Sequence, residues 1–169
     1  MCSSDLGYVP PEIMRSVATS FTGVAHRLEK IRVLGGVTFI NDSIASSPNR
    51  TIAGLACFPE KILLIAGGKD KGISYDALGP AICRHVKKLY LTGMTAQVIE
   101  NAVKQSPEYL PGQPEIFRID GFDDAIRAAA ADAVEGDVVL LSPASTSFDR
   151  FKNFEERGNR FRKVVEDLE

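Results

Sequence analysis

The spacing of apolar and polar residues changes period close to residue 29. Ahead of that point, Pro10 and Pro11 open a short stretch in which Ile13, Met14, Val17 and Phe21 recur at helical spacing, and Gly23 closes it. Proline in a first turn and glycine past the last are ordinary helix boundaries. Met1 to Tyr8 is polar and aperiodic and reads as a loose end. From Glu29 onward two short apolar runs, Lys30 to Leu34 and Val37 to Ile40, flank Gly35-Gly36, which predicts a hairpin. Strand and helix signals then alternate. Pro48 to Cys57, Tyr75 to Val86, Thr95 to Val103, Phe122 to Val134 and Phe148 to Leu168 read as helices. Ile62 to Ala66, Leu89 to Leu91, Glu115 to Ile119 and Val138 to Leu141 read as strands. The run Ile62-Leu63-Leu64-Ile65-Ala66 has no polar position at all, as expected of a strand covered on both faces.

Alternation of this kind predicts an α/β domain whose mostly parallel sheet carries helices on both faces, with the hairpin adding one strand at the amino-terminal side. The change of period divides the chain into residues 1–25, outside the pattern, and residues 26–169, which form the domain. Asp123 and Asp124 suit the start of their helix, and Gly136 suits its closure. Phe154, Phe161, Val165 and Leu168 form one stripe on the last helix, and His85, Lys87 and Lys88 read as an exposed helix end.

Parallel α/β sheets bind ligands beyond the carboxyl ends of their strands. Three predicted strands run there into polar segments: Asn41-Asp42-Ser43 leading to Ser46-Ser47, Gly67-Gly68-Lys69-Asp70-Lys71-Gly72, and Ser142 to Ser147. Hydroxyls, backbone N–H groups and an ammonium on one edge would receive an anion. Each loop also has a plainer reading. Gly67-Gly68 serves a tight turn, Ser47 and Ser147 serve as helix N-caps, Asp42 is a turn acid, and Lys71 is a solvated lysine. His26-Arg27 lies at the junction of the two parts, where a structural contact and a ligand cleft are both open readings.

Composition narrows the partners. The chain has 169 residues, 44% of them hydrophobic and 25% charged, enough to bury a core. Twenty Lys and Arg against 22 Asp and Glu give a net charge of −2, without the basic excess that nucleic acid binding needs. Arg150 to Lys163 is rich in cations, but acids interleave, so that stretch reads as a balanced solvated face. No apolar run reaches the roughly 18 residues of a membrane span. Cys2, Cys57 and Cys83 suggest neither a disulfide framework nor a metal motif, and no signal-peptide pattern opens the chain, so a reducing cytoplasm is expected. There is no Walker A loop, no dinucleotide fingerprint and no nucleophile elbow.

Taken in order, His26-Arg27-Leu28-Glu29, Ile40-Asn41-Asp42-Ser43, Gly67 to Gly72 and the long run Leu141 to Gly158 resemble the carboxyl-terminal domain of the Mur ligases, particularly the branch that adds D-glutamate to UDP-N-acetylmuramoyl-L-alanine. The resemblance runs from about Pro10 to the end. It implies a Rossmann-like third domain, with residues 1–25 holding the last helix of a central ATPase domain. It also implies ATP and Mg2+ as requirements of the complete enzyme, with the metal ligands elsewhere, and a chain that is inactive without the amino-terminal and central domains. Further implied are Lys71, Ser46, Ser147 and Phe154 as contacts for D-glutamate, and Arg27 and Asp42 as contacts for the nucleotide phosphates and ribose. His26 and Lys71 are implied in the closed catalytic site. Two positions depart from the pattern. Ile44 stands where many members carry lysine; if that lysine serves substrate binding, this chain takes the charge from Lys69 or Lys71 or binds differently, and Ser47 stands where asparagine is usual. A related ligase acting with another amino acid or on folate, and a standalone anion-binding module, remain open at this point.

Overall fold

The strands that bury both faces take the middle of the sheet. A computed structural model describes residues 9–20 and 23–169. The strands are β1 (Glu29–Leu34), β2 (Val37–Asn41), β3 (Ile62–Ala66), β4 (Val86–Leu91), β5 (Glu115–Arg118) and β6 (Val138–Leu141). The helices are α1 (Pro11–Ser20), α2 (Pro48–Leu55), α3 (Leu78–His85), α4 (Ala96–Lys104), α5 (Phe122–Asp132) and α6 (Phe154–Glu166). One six-stranded sheet has the order β1-β2-β6-β3-β4-β5. Only β1 runs antiparallel, paired with β2 across the Gly35-Gly36 turn; every other pairing is parallel.

Because side chains alternate across a strand, the sheet presents two apolar surfaces. Leu64, Ala66, Leu89, Leu91 and Leu140 point to one side, where Leu55, Leu78, Ile82 and Ile99 of α2, α3 and α4 cover them. Leu63, Ile65, Tyr90, Val139 and Leu141 point to the other, against Ile126 and Ala129 of α5 and Phe161 and Val165 of α6. The sheet is thus the expected α/β arrangement with the added hairpin strand. β2, β6 and β3 are adjacent and parallel, so their carboxyl ends share one edge.

The structure differs from the sequence reading at several boundaries. β4 starts at Val86, so Lys87 and Lys88 are strand residues and not an exposed helix end. Both are half-buried, and each ammonium reaches an acid: Lys87 bonds Asp137 at 2.5 Å and Lys88 lies 3.5 Å from Asp132. Long lysine stems allow this, since they cover apolar surface while the charge stays at the edge. Gly136 does not close α5, which ends at Asp132 with Ala133 as its C-cap; its N–H donates to the Gly36 carbonyl at the hairpin tip instead. The last helix begins at Phe154, with the Asn153 side chain accepting the Glu156 N–H at 2.8 Å, so Ser147 is not its cap. Ser47 does occupy the N-cap position of α2, but its hydroxyl makes no cap hydrogen bond. In α1, Ile13, Met14 and Val17 are exposed, and no residue of the helix is buried. Phe21 and the stretch Met1 to Tyr8 lie outside the described residues. No helix among the described residues is long and apolar enough to cross a membrane.

Candidate active-site rim

Three loops leave the shared edge: residues 42–47 after β2, residues 67–74 after β3, and residues 142–153 after β6. Backbone pairing fuses the last two. The Gly67 N–H donates to the Pro143 carbonyl at 2.8 Å, and the Lys69 N–H donates to the Thr146 carbonyl at 2.9 Å. Thr146 Oγ1 returns a bond to the Lys69 carbonyl at 3.1 Å. Gly67 is at φ 116°, and a Cβ there would collide with the Thr92 carbonyl oxygen. The residue type is therefore fixed by close approach of β4's end as well as by the turn.

Buried hydroxyls continue the network. The Gly68 N–H donates to Thr95 Oγ1 at 3.0 Å, and the hydroxyls of Thr95 and Ser145 share a bond at 2.8 Å. The Tyr75 and Ser145 hydroxyls meet at 2.9 Å.

Arg157, on the first turn of α6, ties this assembly to the β2 loop. It is 2% exposed. Its Nη2 donates to the Ser43 carbonyl at 2.9 Å, Nε to Ser43 Oγ at 3.0 Å, and Nη1 to the Ser145 carbonyl at 3.1 Å. Ser43 Oγ in turn donates to the Phe154 carbonyl at 2.7 Å. Burial pushes the Arg157 guanidinium down to about 10, with the Asp149 charge opposing the shift. It remains a cation at neutral pH. The balanced charges of the last helix gave no hint of this interior arginine, whose one-in-six share of the basic residues there looks like surface.

His26 anchors the junction. It is 8% exposed and sits at φ 63°, a left-handed conformation that a non-glycine residue holds only when its surroundings fix it. The fixing groups are visible. Its N–H donates to Glu29 Oε2 at 3.0 Å, its carbonyl accepts the Ile44 N–H at 3.1 Å, and the Asn41 amide nitrogen stands 3.0 Å from Nδ1. The ring meets Phe154 edge to face, centroids 6.0 Å apart. Gly158 of α6 leaves the space for it, since a Cβ there would strike His26 Nδ1. His26 thus couples Phe154 and the β2 loop through one buried ring.

Beside it lies a cleft of about 380 Å³ lined by Arg27, Leu28, Asp42, Ile44, Ala45, Arg50, Ala53, Gly54 and Cys57. The two expected nucleotide residues, Arg27 and Asp42, therefore line one cleft. Asp42 is 4% exposed; its carboxylate accepts Ser142 Oγ–H at 2.8 Å and the Leu28 N–H at 3.3 Å. Burial raises the Asp42 carboxyl above the usual aspartate range, while Ser142, Leu28, Arg27 and Arg50 act against that. A carboxyl raised on folding binds its proton more readily in the folded state. Its penalty is thus absent below the ordinary value of 3.8 and grows as pH rises through the higher folded value. Asp42→Asn is accordingly expected to be more stable than the wild type near neutral pH, with the difference closing on acidification. Urea unfolding at the two pH values measures this. A less stable variant near neutral pH would mean that the two hydrogen bonds outweigh burial.

The expected D-glutamate residues sit on all three loops and on α6. Ser46 is half-buried after β2, Lys71 is exposed after β3, Ser147 is 3% exposed after β6, and Phe154 is half-buried. No side-chain hydrogen bond joins Lys71, Ser46 or Ser147 to any group among the described residues, so the donors of all three remain available to a ligand. The Ser147 carbonyl is occupied, accepting the N–H groups of Arg150 and Phe151.

Comparison with known proteins gives the family of the chain. The family described as "Mur ligase, glutamate ligase domain" matches residues 26–145. A UDP-N-acetylmuramoylalanine--D-glutamate ligase of Acetivibrio thermocellus is 53% identical over 163 residues, covering 95% of this chain and 35% of the relative. The enzyme of the same name from Ruminiclostridium cellulolyticum is 49% identical over 168 residues, covering 98% of this chain and 36% of the relative. Among solved structures, the bifunctional folylpolyglutamate synthase/dihydrofolate synthase of Yersinia pestis aligns with TM-score 0.66 at 14% identity, over 96% of this chain and 36% of that one. A domain of a Haemophilus ducreyi ligase aligns with TM-score 0.55 at 15% identity, over 84% of this chain and 96% of that one. The chain belongs to the Mur ligase, glutamate ligase domain family. It spans about a third of the length of the curated relatives it matches.

Proposed function

We propose that the chain is the D-glutamate-binding part of the ATP-dependent ligase that joins D-glutamate to UDP-N-acetylmuramoyl-L-alanine in peptidoglycan synthesis. The amino-terminal and central domains of the same enzyme are its partners, and α1 packs its exposed Ile13, Met14 and Val17 on the central one. The site is in the cytoplasm, where the nucleotide-linked substrate is found. One observation carries the reading: the loops that hold Lys71, Ser46 and Ser147 leave one sheet edge, and none of the three side chains is engaged in a hydrogen bond among the described residues. A dicarboxylic amino acid needs a cation and several donors, and that set supplies them.

In this mechanism ATP phosphorylates the carboxylate of the UDP-sugar's alanine. The amine of D-glutamate attacks the acyl carbon, and the tetrahedral intermediate collapses to an amide with loss of phosphate. This chain holds D-glutamate through Lys71, Ser46 and Ser147, with Phe154 against its carbon chain. His26 keeps Phe154 in place and belongs to the closed catalytic site. Arg27 reaches the phosphates and Asp42 the ribose. Closure excludes water, which would otherwise hydrolyse the acyl phosphate. Among the described residues, those of the cleft do not fit a Mg2+ site. Asp42, the one carboxylate of the cleft, is buried, already accepts two hydrogen bonds and faces two arginines. The metal's ligands are placed on the rest of the enzyme.

The test joins this chain to the first two thirds of the Acetivibrio thermocellus relative. With ATP, Mg2+, D-glutamate and the UDP-sugar, the chimera is expected to form the amide, and the chain alone to form none. Product from the chain alone, or a chimera that prefers another amino acid, overturns the reading.

A further inference from the structure

We propose that Arg50 is a second cation for the phosphate chain of the nucleotide, acting with Arg27 in the same cleft. The inference rests on reading that cleft as the nucleotide site, and extends it to a residue that neither motif nor spacing singled out. Arg27 and Arg50 are both exposed and both line the cleft. The single carboxylate between them, Asp42, can offset only one of the two charges. The cleft is left with a net positive charge, and its remaining lining is uncharged: Leu28, Ile44, Ala45, Ala53, Gly54 and Cys57.

A hydrogen bond to another lining residue holds Arg50 at the cleft. Its Nη1 donates to the Ile44 carbonyl at 3.4 Å, a long bond that holds the guanidinium at the cleft edge and leaves its other donors unassigned. Gly54 lies four residues further along α2, on the same face. A Cβ at Gly54 would stand 3.2 Å from Asp42 Oδ2 and 3.6 Å from Leu28 Cδ2, so the missing side chain keeps the floor beside Arg50 open. A planar fork of donors at that position matches phosphate oxygens two at a time, which a lysine's point charge does not.

The experiment titrates this chain with inorganic tripolyphosphate and then with ADP, by calorimetry and by the arginine Nε–H signals in NMR spectra. Wild type is compared with Arg27→Ala, Arg50→Ala, Arg50→Lys and Arg84→Ala, the last an exposed arginine on α3 paired with Glu108. Loss of one charge-assisted contact corresponds to about tenfold in affinity. Arg50→Ala and Arg27→Ala are each expected to weaken tripolyphosphate about tenfold, Arg50→Lys less, and Arg84→Ala not at all. If Arg27→Ala weakens binding and Arg50→Ala does not, the inference on Arg50 is overturned and the nucleotide reading of the cleft stands. If tripolyphosphate does not bind, or binds with neither arginine mattering, the reading of the cleft fails and the inference fails with it.

Discussion

Lys71→Ala in the complete ligase is expected to raise the KM for D-glutamate between about tenfold and a hundredfold, with little change in the KM for ATP. A hydrogen bond to a charged group contributes about 1.5–3 kcal/mol, and each 1.4 kcal/mol is a factor of ten. Lys71 is exposed and makes no hydrogen bond within the described residues, so its removal costs the fold nothing that binding could be confused with. Lys69 is the natural contrast. Its backbone is pinned on both sides to Thr146, yet its side chain is also exposed, two residues away on the same loop. If Lys71 supplies the cation, Lys69→Ala leaves the KM for D-glutamate near the wild-type value. If instead Lys69→Ala raises it and Lys71→Ala does not, the carboxylate sits nearer the β6 loop. Steady-state kinetics with each substrate varied separates the two, because a purely structural lesion would move both constants and kcat together.

Much of the fold was legible because its strands are buried on both faces. Ile62 to Ala66 and Val138 to Leu141 carry no polar residue, and only a central parallel strand tolerates that. These two strands are neighbours in the sheet, and every other element is placed relative to them. The errors fall where a local signal competed with a tertiary one. Lys87 and Lys88 look like a solvated helix end until Asp137 and Asp132 are brought to them from the other side of the sequence. Ser147 has the chemistry of a cap, but the loop from Ser142 to Asn153 first has to satisfy its neighbours, and α6 begins only at Phe154. That the three polar loops share one edge followed from the expectation of a parallel sheet. What holds them together did not. His26, Leu28 and Ala144 adopt positive φ without being glycine, and no composition rule marks such residues in advance.

Arg157 is the clearest case of a residue whose role only packing reveals, and its replacement is expected to be the most damaging to the rim. Arg157→Ala leaves the Ser43 and Ser145 carbonyls without their donor and opens a hole under the three loops. A buried carbonyl left unsatisfied costs about 1–3 kcal/mol, so two of them set an expected loss of roughly 3–5 kcal/mol. For a domain of this size that is a fall in Tm on the order of 10 °C. Charge alone does not account for it. A buried ion is expensive, and a hydrophobic replacement of similar volume sometimes stabilises a protein. Arg157→Met therefore separates the two contributions: it refills most of the volume but supplies no donor. If the hydrogen bonds to Ser43 and Ser145 dominate, Arg157→Met remains close to Arg157→Ala in stability, and Arg157→Lys recovers part of the loss through one of the carbonyls. If desolvation dominates, Arg157→Met equals or exceeds the wild type, and the guanidinium is then retained for the geometry of the loops at a cost in stability. Thermal and urea unfolding of the three variants decides between these outcomes. In the second of them the KM for D-glutamate in the complete enzyme should still rise, because Ser147 and Lys71 would no longer be held at a common edge.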